Sequence, residues 1–224
     1  MRRFAAFPLL ALFVVVCLTV ASAVYPVGYS GRGSKAEIDG TTNALRIIEY
    51  EHHEIHSGAS FTVDYSETTA NSDDDRTIIG LTTPDTARWV HVIITITAVE
   101  AAEFLIYEAP TFTAGEGTDQ AIYNRNRNSA TTSTVLNQDA TPEVAKVTTY
   151  DETEAVGLDY SGGTLVEYVL LSAGSGPRQV GGTSRGSQEW VLKQDTSYLF
   201  ILQNVGASVN THVINLSWYE HQNR

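Results

Sequence analysis

The chain has 224 residues, 42% of them hydrophobic and 18% charged; that is enough apolar material for one sizeable core and excludes wholesale disorder. A formal net charge of −12 excludes the basic face with which a duplex-binding domain displaces counterions, so nucleic acid is not an expected partner. Tyrosine outnumbers phenylalanine and tryptophan together, and β-branched threonine and valine recur, a palette suited to half-buried pleated surfaces.

The chain opens with Met1-Arg2-Arg3, an almost wholly apolar run from Phe4 to Val20, and the small residues Ala21-Ser22-Ala23. Residues 1–23 thus have the basic, apolar and cleavage regions of a secretory signal peptide. The run is long for one, which leaves an uncleaved membrane anchor as the alternative. Cys17, the only cysteine, lies inside it behind Val16, where a lipidation signal requires a smaller residue. The body therefore has no disulfide, thiolate metal site or cysteine nucleophile. Residues 24–43, rich in Gly, Ser and Pro, read as a flexible arm. Residues 44–224 read as a single domain.

Within that domain, short runs alternate with turn residues, the spacing of a β-sandwich or barrel of about ten strands. Phe61, Val63 and Tyr65 alternate with Ser60, Thr62 and Asp64, which predicts a half-buried strand. Trp89 to Ile96 is more continuously apolar and predicts a strand covered on both faces. Phe104 to Tyr107, Thr164 to Leu171, Glu189 to Leu192 and Tyr198 to Gln203 are further strands. In a final strand, His212 to Tyr219, the residues His212, Ile214, Leu216 and Trp218 share one face, with Val213, Asn215, Ser217 and Tyr219 on the other. No sustained helical stripe occurs beyond the N-terminal segment.

Candidate chemistry is sparse. His52, His53 and His56 form a histidine cluster, but a strand holds a metal through residues at i and i+2. In an extended chain His52 and His56 would stand about 13 Å apart, so they are weak metal candidates and no cofactor is expected. Gly182-Thr183-Ser184-Arg185-Gly186 matches a hydrolase pattern that needs a strand-to-helix elbow, and the residues after it read as a strand. Asp73-Asp74-Asp75, Glu116 with Asp119, and Glu152 with Glu154 lack calcium-loop spacing. The segment Tyr123-Asn124-Arg125-Asn126-Arg127-Asn128-Ser129 is the most distinctive. It reads either as a loop stiffened by asparagine side chains or as a subunit-contact loop whose arginines fork onto a neighbour's carboxylates.

An ordered set of segments resembles the tailed-phage virion structural proteins, the head decoration or accessory capsid type. These segments are His52 to Gly58, Leu81 to Thr86 followed by Trp89, Ile106-Tyr107-Glu108, Tyr123 to Ser129, Gly181-Gly182, Glu189 to Gln194, and Ser217 to His221. The resemblance implies a jelly-roll-like β-sandwich attached to a particle, oligomeric, contacting itself or other virion proteins, and without catalysis. It carries over no catalytic residue. The N-terminal segment departs from the pattern, since a protein that assembles on a capsid in the host cytoplasm needs no export signal. The expected function is thus a non-enzymatic structural protein that decorates or stabilises a virion. The alternative is a secreted or surface-anchored β-sandwich module binding a glycan or protein. Membrane contact is expected only through residues 1–23.

Overall fold

The computed structural model describes residues 50–70, 74–111, 117–138, 142–151, 153–155, 158, 160, 162–172, 178–181 and 189–222. The apolar segment 1–23, the arm 24–43 and the Gly182–Gly186 loop lie outside them. Among the described residues a short helix, α1 (Tyr50–Ser57), precedes twelve strands. They are β1 (Ser60–Ala70), β2 (Arg76–Thr82), β3 (Arg88–Ala98), β4 (Ala102–Glu108), β5 (Thr118–Ala121), β6 (Tyr123–Asn124), β7 (Lys146–Tyr150), β8 (Thr164–Leu171), β9 (Arg178–Gly181), β10 (Glu189–Val191), β11 (Ser197–Asn204) and β12 (Asn210–Gln222).

Pairing is nested and antiparallel: β1 with β12, β2 with β11, β3 with β9 and β10, and β4 with β8. Further pairing of β12 with β3 and of β11 with β4 joins these hairpins into two sheets. The sheets run β10-β3-β12-β1-β6, with β9 also on β3, and β5-β7-β2-β11-β4-β8. A long hairpin rolled so that successive strands alternate between two sheets is a jelly roll, and the all-β expectation holds. Between β4 and β8 the chain inserts β5, β6 and β7. These lengthen both sheets, β6 beside β1 and the β5–β7 pair beside β2.

Period-two patterning sets which face is buried. Phe61, Val63, Val90, Val92, Ile94, Ile96, Phe104, Ile106, Phe200, Ile214, Leu216 and Trp218 fill the space between the sheets. β3 does not match its expectation. Its residues alternate between buried and intermediate exposure, so one face is fully covered and the other only in part. β2, β7 and β11 are buried on both faces. Ile78, Leu199 and Ile201 pack outward under Tyr150, Ala155 and Leu158, because the segment after β7 lies over that sheet alone.

The insert's irregular backbone is satisfied by buried side chains, as burial of unpaired amides would require. The Gln138 side-chain amide donates to the Leu81 and Tyr198 carbonyls, and Thr148 Oγ1 accepts from the Gln138 amide at 2.8 Å. Glu220 faces inward beside Trp218. Its carboxylate accepts from Ser133 Oγ at 2.6 Å, from Thr134 Oγ1 at 2.6 Å, from the Thr134 amide at 3.1 Å and from Trp218 Nε1 at 3.2 Å. Replacing this acceptor-only group with an amide turns an N–H toward a ring of donors. Glu220→Gln is therefore expected to cost about 2 kcal/mol in chemical denaturation.

His212 shares the core face with Ile214 and Leu216, fully buried, with Nδ1 3.0 Å from Thr77 Oγ1. Burial pushes its pKa down from 6.5 to about 4, against the opposing pull of Asp75. The unfolded chain thus takes up this proton first. The neutral ring's contribution is whole above about pH 6.5 and is lost as pH falls to about 4, worth roughly 3 kcal/mol. His212→Gln, which cannot titrate, is expected to flatten the fall of Tm across this window. An unchanged slope in scanning calorimetry would refute the assignment.

Candidate binding surface

The histidine cluster forms a helix, not the extended chain in which the sequence placed it. α1 stops at Gly58, whose φ of +77° is the left-handed conformation that ends a helix. The Gly58 amide donates to the Ile55 carbonyl at 3.1 Å, and the Ala59 amide to the Glu54 carbonyl at 3.0 Å. Helical winding brings His52 and His56 onto one face. Their Nε2 atoms lie 3.2 Å apart and their ring centroids 4.7 Å, in place of the separation expected for a strand. Both are exposed. His53 points elsewhere, its Nδ1 3.5 Å from Glu54 Oε1. Among the described residues no three or more histidine, cysteine, aspartate or glutamate side chains converge as a metal cage.

The Asn-Arg segment lies against the end of α1. β6 pairs with β1, Asn124 opposite Phe61, which buries Asn124. Its Nδ2 donates to the Gly58 and Thr131 carbonyls, each at 2.8 Å, and its Oδ1 accepts from the Asn126 amide at 2.8 Å. Asn126 repeats the device: Oδ1 accepts from the Asn128 amide at 3.1 Å, and Nδ2 donates to the His56 carbonyl at 3.2 Å. Ser129 packs against Gly58, where a Cβ would come within 2.3 Å of its hydroxyl. Arg125 is held toward β1, its amide donating to the Ser60 carbonyl at 2.9 Å and its Nη1 lying 3.5 Å from Ser60 Oγ.

The two readings of this loop therefore divide by residue. Asn124 and Asn126 stiffen it, while Tyr123, Arg127 and Asn128 are displayed. The Arg127 guanidinium stands 5.4 Å from the Tyr123 ring centroid, within cation–π range. The structure thus unites the two sequence candidates, the histidine cluster and the Asn-Arg segment, on one surface.

Sequence reasoning missed a second polar cluster, on the outer face of β3 and β12 at the end where β1 follows α1. His91 and Tyr219 are cross-strand partners, their rings stacked at 4.7 Å. His91 Nδ1 lies 2.6 Å from Glu189 Oε1, and the Tyr219 hydroxyl donates to the same oxygen. His221 tilts against His91 at 4.4 Å. Burial holds the His221 pKa below its ordinary value, His91 adds to that, and Glu54 and Glu189 oppose it. Glu54, buried on α1, thus faces this cluster. Chemically it is a carboxylate that orients an imidazole and a phenol, and it fastens the three-residue β10 to β3. Alternation in Tyr219-Glu220-His221 was visible in the sequence, but the partner residues on β3 and β10 were not.

Of the acidic candidates, Asp73, Glu116 and Glu152 lie outside the described residues, while Asp119 and Glu154 serve local structure. Asp119 is held below the usual carboxylate range by the Asn137 amide and by Lys146, and Glu154 accepts from Thr118 Oγ1 at 3.0 Å. Asn124→Ala would leave the Gly58 and Thr131 carbonyls without this donor. It is expected to cost about 2 kcal/mol, whereas Asn128→Ala stays within roughly 0.5 kcal/mol, both read from denaturant midpoints. Comparison with protein-family models, with curated proteins and with solved structures finds no match for this chain.

Proposed function

We propose that this protein is a non-enzymatic structural component of a phage-like particle, and that the surface formed by α1 and the Tyr123–Asn128 loop contacts a neighbouring subunit. One observation carries the reading: Tyr123 and Arg127 are displayed together on a loop already locked by Asn124 and Asn126. A rigid aromatic and an arginine are the residue types that dominate contact energy, and a pre-ordered loop loses little entropy on docking. The chain is acidic, with a net charge of −12, so a displayed guanidinium has carboxylates to meet on a second copy.

The β8 edge of the second sheet, unpaired among the described residues, supports assembly as well. β8 ends its sheet, with Leu165, Tyr168 and Leu170 about half exposed. Its eight residues contain neither lysine nor proline, the usual guards of an exposed edge. The jelly roll supplies a stiff body, and the ordered resemblance to virion proteins supplies the context.

The test is co-sedimentation with assembled particles, alongside sedimentation velocity of the protein alone. Tyr123→Ala with Arg127→Ala is expected to reduce particle association by at least about tenfold, the loss of a hot-spot pair, with the Tm unchanged. Leu170→Lys is expected to lower self-association. Association unchanged in both variants would exclude the proposal, as would saturable binding to a glycan through the same surface.

A further inference from the structure

The geometry points to a site of a different kind on α1: we propose that His52 and His56 form a two-point chelate for a divalent first-row transition metal ion of the Zn2+, Ni2+ or Cu2+ class. This does not depend on the virion reading. Two imidazole nitrogens bound to one such ion at ~2.1 Å, and separated as these are, subtend an angle of about 100° at the metal. The value lies between octahedral and tetrahedral demands. The Nε2–Nε2 distance of 3.2 Å is thus already a chelate bite, and no rotation of the helix is needed to create it.

Four further points favour occupation. Imidazole is a preferred donor for these ions, and paired histidines one helical turn apart present it from a single face. The pair is exposed, so an ion can enter without opening the core. Its backbone is held at the C-terminal end, because the His56 carbonyl accepts from Asn126 Nδ2 and Gly58 closes the helix. The net charge of −12 raises the local cation concentration.

Without metal, one ring donates its Nε2 proton to the other across the 3.2 Å contact. On binding, the ion replaces that proton, which passes to solvent, and each ring contributes one nitrogen lone pair. Since no third protein donor converges among the described residues, water completes the coordination. Those open positions also let the ion accept a donor from a second molecule.

The experiment is isothermal titration of ZnCl2 into the full chain in a non-chelating buffer, repeated with three variants. One Zn2+ per chain at micromolar affinity is expected. His52→Ala and His56→Ala should each weaken it by at least about tenfold, a loss that even outer-sphere changes cause at metal sites. His53→Ala should leave it intact, since that ring faces Glu54. Alanine favours helix, so loss of binding in the first two variants with an unchanged denaturation midpoint reports lost ligands and not a lost helix. Absence of saturable Zn2+ binding in the wild type, or equal binding by the His52→Ala/His56→Ala double variant, would overturn the proposal.

Discussion

The first and last strands of the sandwich lie side by side, and the rest of the molecule hangs on that contact. β12 runs between β1 and β3, in register from Ser60–Tyr219 to Glu67–His212 on one side and from Ala98–His212 to Arg88–Gln222 on the other. A slip of one residue on either side would turn His212, Ile214, Leu216 and Trp218 out to solvent and bring Asn215 and Ser217 into the core. Burial of the inward set thus specifies the register more strongly than the backbone hydrogen bonds do. Every pairing of the nested roll joins residues far apart in the chain, a topology in which ordering costs are met before the core rewards them.

Polar groups inside the molecule carry the next level of specificity. The insert between β4 and β8 has little regular structure, yet Val135 reaches the central core. Its backbone enters because Ser133, Thr134, Asn137 and Gln138 tie it to Glu220, Asp119, Leu81 and Tyr198. The same device, applied at Asn124 and Asn126, joins the insert to the end of α1. Stability and the shape of the proposed contact surface therefore share one origin. The asparagines that hold the loop are also what leaves Tyr123 and Arg127 projecting from it.

The molecule offers several surfaces with distinct chemistry. The α1 face carries imidazoles, the neighbouring loop carries an aromatic–guanidinium pair, and β8 presents an apolar edge. The His91–Glu189–Tyr219 cluster is largely buried, with one carboxylate oxygen shared by the imidazole Nδ1 and the phenol. A jelly roll hosts many unrelated roles, so function here rests on these surfaces and not on the architecture.

Alternation of apolar and polar residues, broken by glycine and proline, was sufficient to identify an all-β sandwich, and it divided the residues of β1 and β12 between two faces as the structure does. The reason is local: a strand's side chains point alternately to its two sides whatever its neighbours are. The short helix was signalled only by Gly58 after the last histidine, since Ile55 alone supplies an apolar anchor between His52 and His56, too little to form a stripe. Which strands would be covered twice, which asparagines would be buried, and which residues of β3 and β10 would meet Tyr219 depended on pairings between segments far apart in the chain. Local patterning chose the element and its wet and dry sides. Only tertiary packing decided which sides meet, because contacts between distant strands leave no periodic trace in either strand alone.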